Sequence, residues 1–191
     1  EKFFTLDVPA GATDLVFTTT GGSGDAEEYY RYFETKKHFI NYGVSTKVMN
    51  IRRNVRNHKQ RLIAIEENLN NGAIAVSHSI EYQPTSYDEL LDYAAIARAY
   101  QRPYFLHLRH SSKENELEGV KEAIQLAKDS DAHIHIDHLN STGGTFHMKE
   151  ALDLIRKANA EGAHVTTCVY PYSYWATYLS SRRFQGDWQK R

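Results

Sequence analysis

The chain has 191 residues, 41% of them apolar and 25% charged, and its 23 basic and 24 acidic side chains leave a net charge of -1. That length suits one domain or a large piece of one, and the apolar fraction is enough for a buried core. The charge balance removes nucleic acid and anionic membrane surfaces from the expected partners, and the single cysteine, Cys168, rules out a disulfide framework and favours a reducing cytoplasm.

No apolar run approaches the ~20 residues of a membrane span, and no basic-then-apolar leader opens the chain. The first residue is Glu1 rather than methionine, which reads as a trimmed or partial chain.

Short apolar runs recur about every 30 residues with a helical pattern between them, the spacing of a strand-helix unit. The first is Leu15–Thr19 (LVFTT), followed by the glycine-rich Thr20–Gly24. That loop lacks both the G-x-G-x-x-G order and the lysine of a P-loop, so it reads as a turn, with a phosphate cradle as the lesser alternative. Asp25-x-x-Glu28 then has the form of a capping box, in which an oxygen side chain and a carboxylate satisfy the free amides at a helix start. The second strand is predicted over Tyr42–Asn50 (YGVSTKVMN). The basic cluster Arg52, Arg53, Arg56, His58, Lys59 and Arg61 reads as a solvated helix start; an anionic partner is the alternative.

Gly72 stands where a left-handed helix terminator is wanted, directly before a strand at Ala73–Val76 (AIAV). Ser86-x-x-Glu89 opens the next helix, Tyr104–His107 (YFLH) is the next strand, and Ser111-x-x-Glu114 is a third capping box. Leu117, Val120, Ile124 and Ala127 share one helical face. After the strand at Ala132–His138 a further helix shows Met148, Ala151, Leu152 and Ile155 on one face. Gly162 ends it before the last strand, His164–Val169 (HVTTCV). About six strands alternating with helices predict an α/β chain with a parallel sheet.

Two architectures fit such alternation, an open doubly wound sheet and a closed (β/α)8 barrel. The weakness of the glycine loop disfavours the first, and the strand ends favour the second. Function in parallel α/β folds collects at the C-terminal ends of strands. Those ends carry His78 and Glu81, then His107 with Arg109 and His110, then His138, then Cys168 before Tyr170-Pro171-Tyr172. One histidine at a strand end is usually a hydrogen-bonded structural residue. Two successive strands ending in histidine, with a glutamate after the strand before them, point toward a divalent metal, because zinc accepts neutral imidazole nitrogen and carboxylate oxygen.

The stretches NNGAIAVSHSIEYQPTSYDELLDYAAIARAYQRPYFLHLRH, IHIDHLN and EGAHVTTCVYPYSYW together resemble the N-acyl-D-amino-acid deacylases of the metal-dependent amidohydrolase superfamily. The shared marks are a Ser-x-x-x-x-Tyr-x-Pro turn, strands ending in His-x-Arg and His-Leu, and a Val-Tyr-Pro-Tyr tetrapeptide, over roughly Asn71 to Trp175. The resemblance implies an incomplete TIM-type barrel that cleaves the amide bond of an N-acyl-D-amino acid by metal-activated water. It makes His107 and His138 metal ligands from consecutive strands, and puts Glu81 at the position of a metal-binding carboxylate, the catalytic carboxylate within this stretch. It places Tyr82 and Arg109 at the substrate. Asn140 occupies the position where the family commonly has a substrate-binding lysine, and Cys168 stands where it has an aspartate. One or two Zn2+ ions, or another divalent metal, are the implied cofactor, and a small N-acyl amino acid the implied partner.

The family's first-strand His-x-His and eighth-strand aspartate have no counterpart here. Eight units need about 240 residues, near the ~250 of such barrels. The whole chain, 1–191, therefore reads as one partial catalytic barrel domain, weakly matched over 1–70, with the ligands within 71–191. Two alternatives are carried forward. One is a cyclic-amide hydrolase of dihydroorotase type, and the other is a non-catalytic barrel fragment that self-associates through exposed strand edges.

The remaining groups have plainer readings. If His138 looks inward, strand periodicity sends His133 and His135 under the helix layer as bonded scaffolding. His38, His58 and His164 read as structural, His110 and His147 as loop residues, and Cys168 as a small buried apolar group, with a ligand or nucleophile role as the alternative. Tyr170, Tyr172, Tyr174, Trp175 and Tyr178 form an aromatic cluster that reads equally as the wall of a pocket or as a surface packed against a further element.

Overall fold

In the computed structural model, residues 21–36 and 42–174 are described. The predicted strand Leu15–Thr19, His38, Trp175 and Tyr178 lie outside them. In chain order the elements are α1 (Ala26–Glu34), β1 (Thr46–Lys47), α2 (Val48–Asn54), α3 (His58–Asn70), β2 (Val76–Ser79) and α4 (Tyr87–Ala99). β3 (Tyr104–His107), α5 (Glu116–Ser130), β4 (Ile134–Ile136), α6 (Leu139–Thr142), α7 (Met148–Ala160) and β5 (Val165–Thr167) complete the set.

The five strands form one parallel sheet in the order β1-β2-β3-β4-β5. Each strand lies beside the one before it, without the order reversal of a doubly wound sheet. The helices follow one another in the same sequence, α3 against α4, α4 against α5 and α5 against α7. A sheet wound in one direction with one layer of helices is a sector of a (β/α)8 wall. Among the described residues no helix is long and apolar enough to cross a membrane.

Side-chain alternation separates the two faces of this wall. Val76, Tyr104, Leu106, Ile134, Ile136 and Val165 are all buried in the cluster that the helices cover. Burying each such aliphatic side chain is worth about 1.5–3 kcal/mol, so this face fixes the register. The opposite face carries Ser77, Ser79, Phe105, His107, His135 and Thr166 and looks toward the barrel interior. Three contacts hold it together: the Phe105 and His135 rings meet edge to face at 5.1 Å, and Thr166 Oγ1 lies 2.8 Å from His135 Nδ1 and 2.6 Å from His133 Nε2.

This corrects the expected placement of His133 and His135. They are bonded to a neighbour as expected, but on the interior face, while Ile134 and Ile136 lie under the helices. The period-2 argument fails at one residue: His138 follows the strand with φ 37° and ψ 59°. That left-handed turn breaks the alternation, so His135 and His138, of opposite parity, both reach the interior.

Several element bounds differ from expectation. Tyr42–Asn50 contributes only the two residues of β1, because Val48 and Ile51, three apart and both buried, turn the chain into α2. The strand expected at Ala73–Val76 instead runs Val76–Ser79, where polar Ser77, His78 and Ser79 are buried by pairing with β3. The caps at Asp25 and Ser86 form, accepting from Glu28 N at 2.9 Å and Glu89 N at 3.3 Å. The Ser111 cap does not, since α5 begins at Glu116 after Asn115. Gly72 and Gly162 do terminate helices at φ 92° and 96°.

The glycine loop has a steric explanation. At Gly22, φ is 114°, and an added Cβ would sit 2.1 Å from the Ser45 carbonyl oxygen. That approach requires glycine without any bound anion.

Candidate metal centre at the strand ends

β2, β3 and β4 deliver Glu81, His107 and His138 to one place. His107 Nε2 lies 2.8 Å from Glu81 Oε2, and His107 Nδ1 lies 2.8 Å from His138 Nε2. An ionised Glu81 can only accept, so His107 Nε2–H donates to it and His107 Nδ1 accepts from His138 Nε2–H. Ser111 Oγ donates to Glu81 Oε1 at 2.5 Å. The serine expected to cap α5 thus fixes the second oxygen of this carboxylate, a role no local pattern discloses. The Tyr82 ring stands 4.8 Å from the His107 ring, covering one side of it.

Each position has a local cause. His107 ends β3 on the interior face in register with Ser79, and Ile80 N donates to its carbonyl oxygen at 3.1 Å. Glu81 follows β2 in the turn before α4. His138 is turned inward by its left-handed backbone, and its amide donates to Cys168 Sγ at 3.1 Å. Cys168, expected as a small buried apolar group, is only partly buried, and its sulfur accepts this hydrogen bond. Two imidazoles and a carboxylate are donor types that a zinc-like ion accepts. Here Glu81 and His138 sit on opposite nitrogens of His107 and are paired with it through protons, so one ion would need these side chains to turn before the three donors converge.

The structure does not bring every expected residue here. The Arg109 guanidinium lies along Glu122, with Nε–Oε2 at 3.0 Å and Nη2–Oε1 at 2.8 Å, and donates to the Thr85 carbonyl at 2.8 Å. It braces α5 against the turn before α4. Asn140 exchanges bonds with the Tyr170 backbone, accepting from its N at 3.3 Å and donating to its O at 3.4 Å. Through it the segment carrying the neighbouring Tyr170, Tyr172 and Tyr174 rings is tied beside His138.

Other histidines are structural. His78 faces the helices, fully buried, with Nε2 2.7 Å from Thr85 Oγ1. Burial, followed by the Arg52 and Arg109 charges, lowers its pKa to about 3. His147 joins the backbone amides of Thr145, Phe146 and His147 around buried Glu116. His164 stacks on His133 at 3.9 Å, and His58 meets Asp92 at 2.7 Å. The basic cluster is not simply solvated: Arg52 and Arg61 both bind Glu89, at 3.0 and 2.7 Å.

A group missed in the sequence lies along β4 and β5. Asp137 is fully buried and raised to about pH 7 by desolvation, and neither of its carboxylate oxygens has a hydrogen-bond partner. The alternation His133-Ile134-His135-Ile136-Asp137 was the available signal, once the isoleucine face is given to the helices.

No protein-family model matches the chain. Among curated proteins it is 37% identical over 82 residues to a dihydroorotase of Elusimicrobium minutum, covering 43% of this chain and 17% of that protein. Two kinds of solved structure superpose on 78% of the chain and 34% of their own length. One is an N-acyl-D-glutamate deacylase from Bordetella bronchiseptica complexed with zinc and a phosphonate inhibitor (TM-score 0.62, 18% identity). The other is a D-aminoacylase with a binuclear metal centre (TM-score 0.64, 18% identity). The chain therefore spans about a third of these structures, and over that part its fold is that of the D-aminoacylase barrels.

Proposed function

We propose that the chain is part of a metal-dependent amidohydrolase that cleaves the amide bond of an N-acyl-D-amino acid or a related compound. The observation that carries this reading is the contact chain Glu81–His107–His138 across the ends of three consecutive strands. His107, His138 and Glu81 would hold a divalent cation. When bound, such an ion supplies an activated water near neutral pH and polarises the substrate carbonyl. Ser111 keeps the Glu81 carboxylate oriented, and Tyr82 shields His107 from water on one side. Asn140 positions the tyrosine segment next to His138, where an acyl or side-chain group would lie.

The test is hydrolysis of a panel of N-acyl-D-amino acids by the full-length protein that contains this chain, before and after chelation, with zinc then restored. Activity that falls on chelation, returns with zinc and vanishes in His107→Ala supports the reading. A zinc-loaded full-length protein that leaves the whole panel intact contradicts it. The local dihydroorotase match favours a second reading, a cyclic-amide hydrolase on the same residues. Turnover of cyclic ureides in place of the acylated amino acids would select it.

A further inference from the structure

We propose that His135 Nε2, the Asp137 carboxylate and the Cys168 thiolate form a separate site for a zinc-type divalent cation inside the barrel wall. These donor atoms lie within 4.8 Å of one another, and no other such triad of histidine, cysteine and carboxylate groups occurs among the described residues. His135 Nε2 stands 3.8 Å from Asp137 Oδ1. None of the three belongs to the Glu81–His107–His138 set.

Unmet bonding capacity is what turns this cluster into a site. Asp137 is fully buried, His135 is 9% exposed, and both Asp137 oxygens and His135 Nε2 lack hydrogen-bond partners. Buried polar groups are nearly always satisfied, and a buried carboxylate without a partner is especially costly. A divalent ion between these atoms would remove that cost and leave the ion, carboxylate and thiolate electrically balanced.

The surroundings hold the donors in the required state. His135 Nδ1 is 2.8 Å from Thr166 Oγ1. If Nδ1–H donates there, Nε2 carries the free lone pair, the usual arrangement in which an outer oxygen fixes the tautomer of a metal-binding histidine. Cys168 Sγ accepts the His138 amide at 3.1 Å, which fixes the position of the sulfur beside Asp137. The Asp137 amide donates to Leu106 O at 2.9 Å, which pins its backbone to β3. A nitrogen, a sulfur and an oxygen select a borderline-soft ion such as zinc over calcium or magnesium, and three protein ligands leave a fourth position open.

Cys168 is the chain's only cysteine, so a sulfur-to-metal signal reports on this site alone. The experiment is titration of the metal-free full chain with Co2+, following the near-ultraviolet thiolate-to-cobalt absorption. The expected result is a band that saturates at one equivalent, disappears in Cys168→Ser, and survives His107→Ala/His138→Ala. Asp137→Asn and His135→Gln should each weaken Co2+ binding at this band at least tenfold, and either suffices if the other variant does not fold. Thr166→Val, which frees the outer bond, should weaken it by roughly 10–100-fold. Absence of the band in the wild-type chain overturns the proposal. So does a band that persists unweakened in Asp137→Asn or His135→Gln, or one lost with His107 and His138.

Discussion

Two clusters of charged and histidine side chains lie on opposite faces of the same wall, and their carboxylates are bonded in opposite ways. On the helix side Glu89 is closed on every side, by Arg52, Arg61, His58 and the Tyr93 hydroxyl. Burial alone would raise its carboxyl, but the Tyr93 hydrogen bond and the Arg52, Arg61 and His58 charges outweigh it and hold the group below its ordinary range. On the interior side Asp137 is buried more deeply and its oxygens accept no hydrogen bond. Proximity of charges is therefore a poor guide to function in this fold. For Asp137 the informative quantity is what remains unsatisfied, because its leftover lone pairs are free to bind a ligand.

The difference has measurable consequences. Glu89→Ala should have the largest effect, since it strands two arginines that are only 16% and 14% exposed at their side chains. The expected loss is about 3 kcal/mol in urea unfolding. A loss below about 1 kcal/mol would mean that the outer network is not closed in the way described.

His78 belongs to the same outer region, and its pKa of about 3 sets the sign of an acid effect. Its folded value lies below its unfolded value near 6.5, so its share of the stability is complete above pH 6.5. That share is lost as pH falls toward 3. Between pH 7 and 5 the wild-type chain should lose roughly 1 kcal/mol per pH unit below 6.5 relative to His78→Gln. Equal slopes for the two chains would contradict the buried neutral imidazole.

On the interior side the sign reverses. Asp137 has a folded value raised to about 7, so the folded chain binds the extra proton and its stability falls as pH climbs from about 4 to 7. At pH 8, in the absence of metal, Asp137→Asn should stabilise the chain by about 1–2 kcal/mol, the residual amide offsetting part of the gain. Destabilisation there would show that the carboxylate has found a partner. At the small end, Lys149→Ala breaks only the exposed pair with Asp153 and should leave the unfolding midpoint unchanged.

Much of the wall could be read from the sequence, because repeated strand-helix spacing and glycine terminators are local signals. β3 falls on its expected residues, and the Asp25 and Ser86 caps form where the pattern places them. Glu81, Tyr82, His107 and His138 also come together as their strand-end positions imply, whereas Arg109 and Asn140 make their bonds elsewhere. What escaped was set by tertiary competition. Ser111 matches a capping box but serves Glu81 instead, since a carboxylate across the site outbids a local amide. The placement of His133, His135 and Asp137 turned on one left-handed residue, His138, which no periodicity anticipates. The grouping of Asp137 with Cys168 depended on β4 pairing with β5, a contact some 30 residues apart in sequence.

The central claim is that Glu81, His107 and His138 hold a divalent cation, and the most direct measurement is zinc affinity in competition with a coloured chelator. Working in a Cys168→Ser background keeps the second proposed site silent. The account predicts one tight equivalent of zinc in Cys168→Ser and none once His107→Ala and His138→Ala are added. An equivalent that survives the loss of both histidines, or a Cys168→Ser chain that takes up no zinc at all, would contradict it.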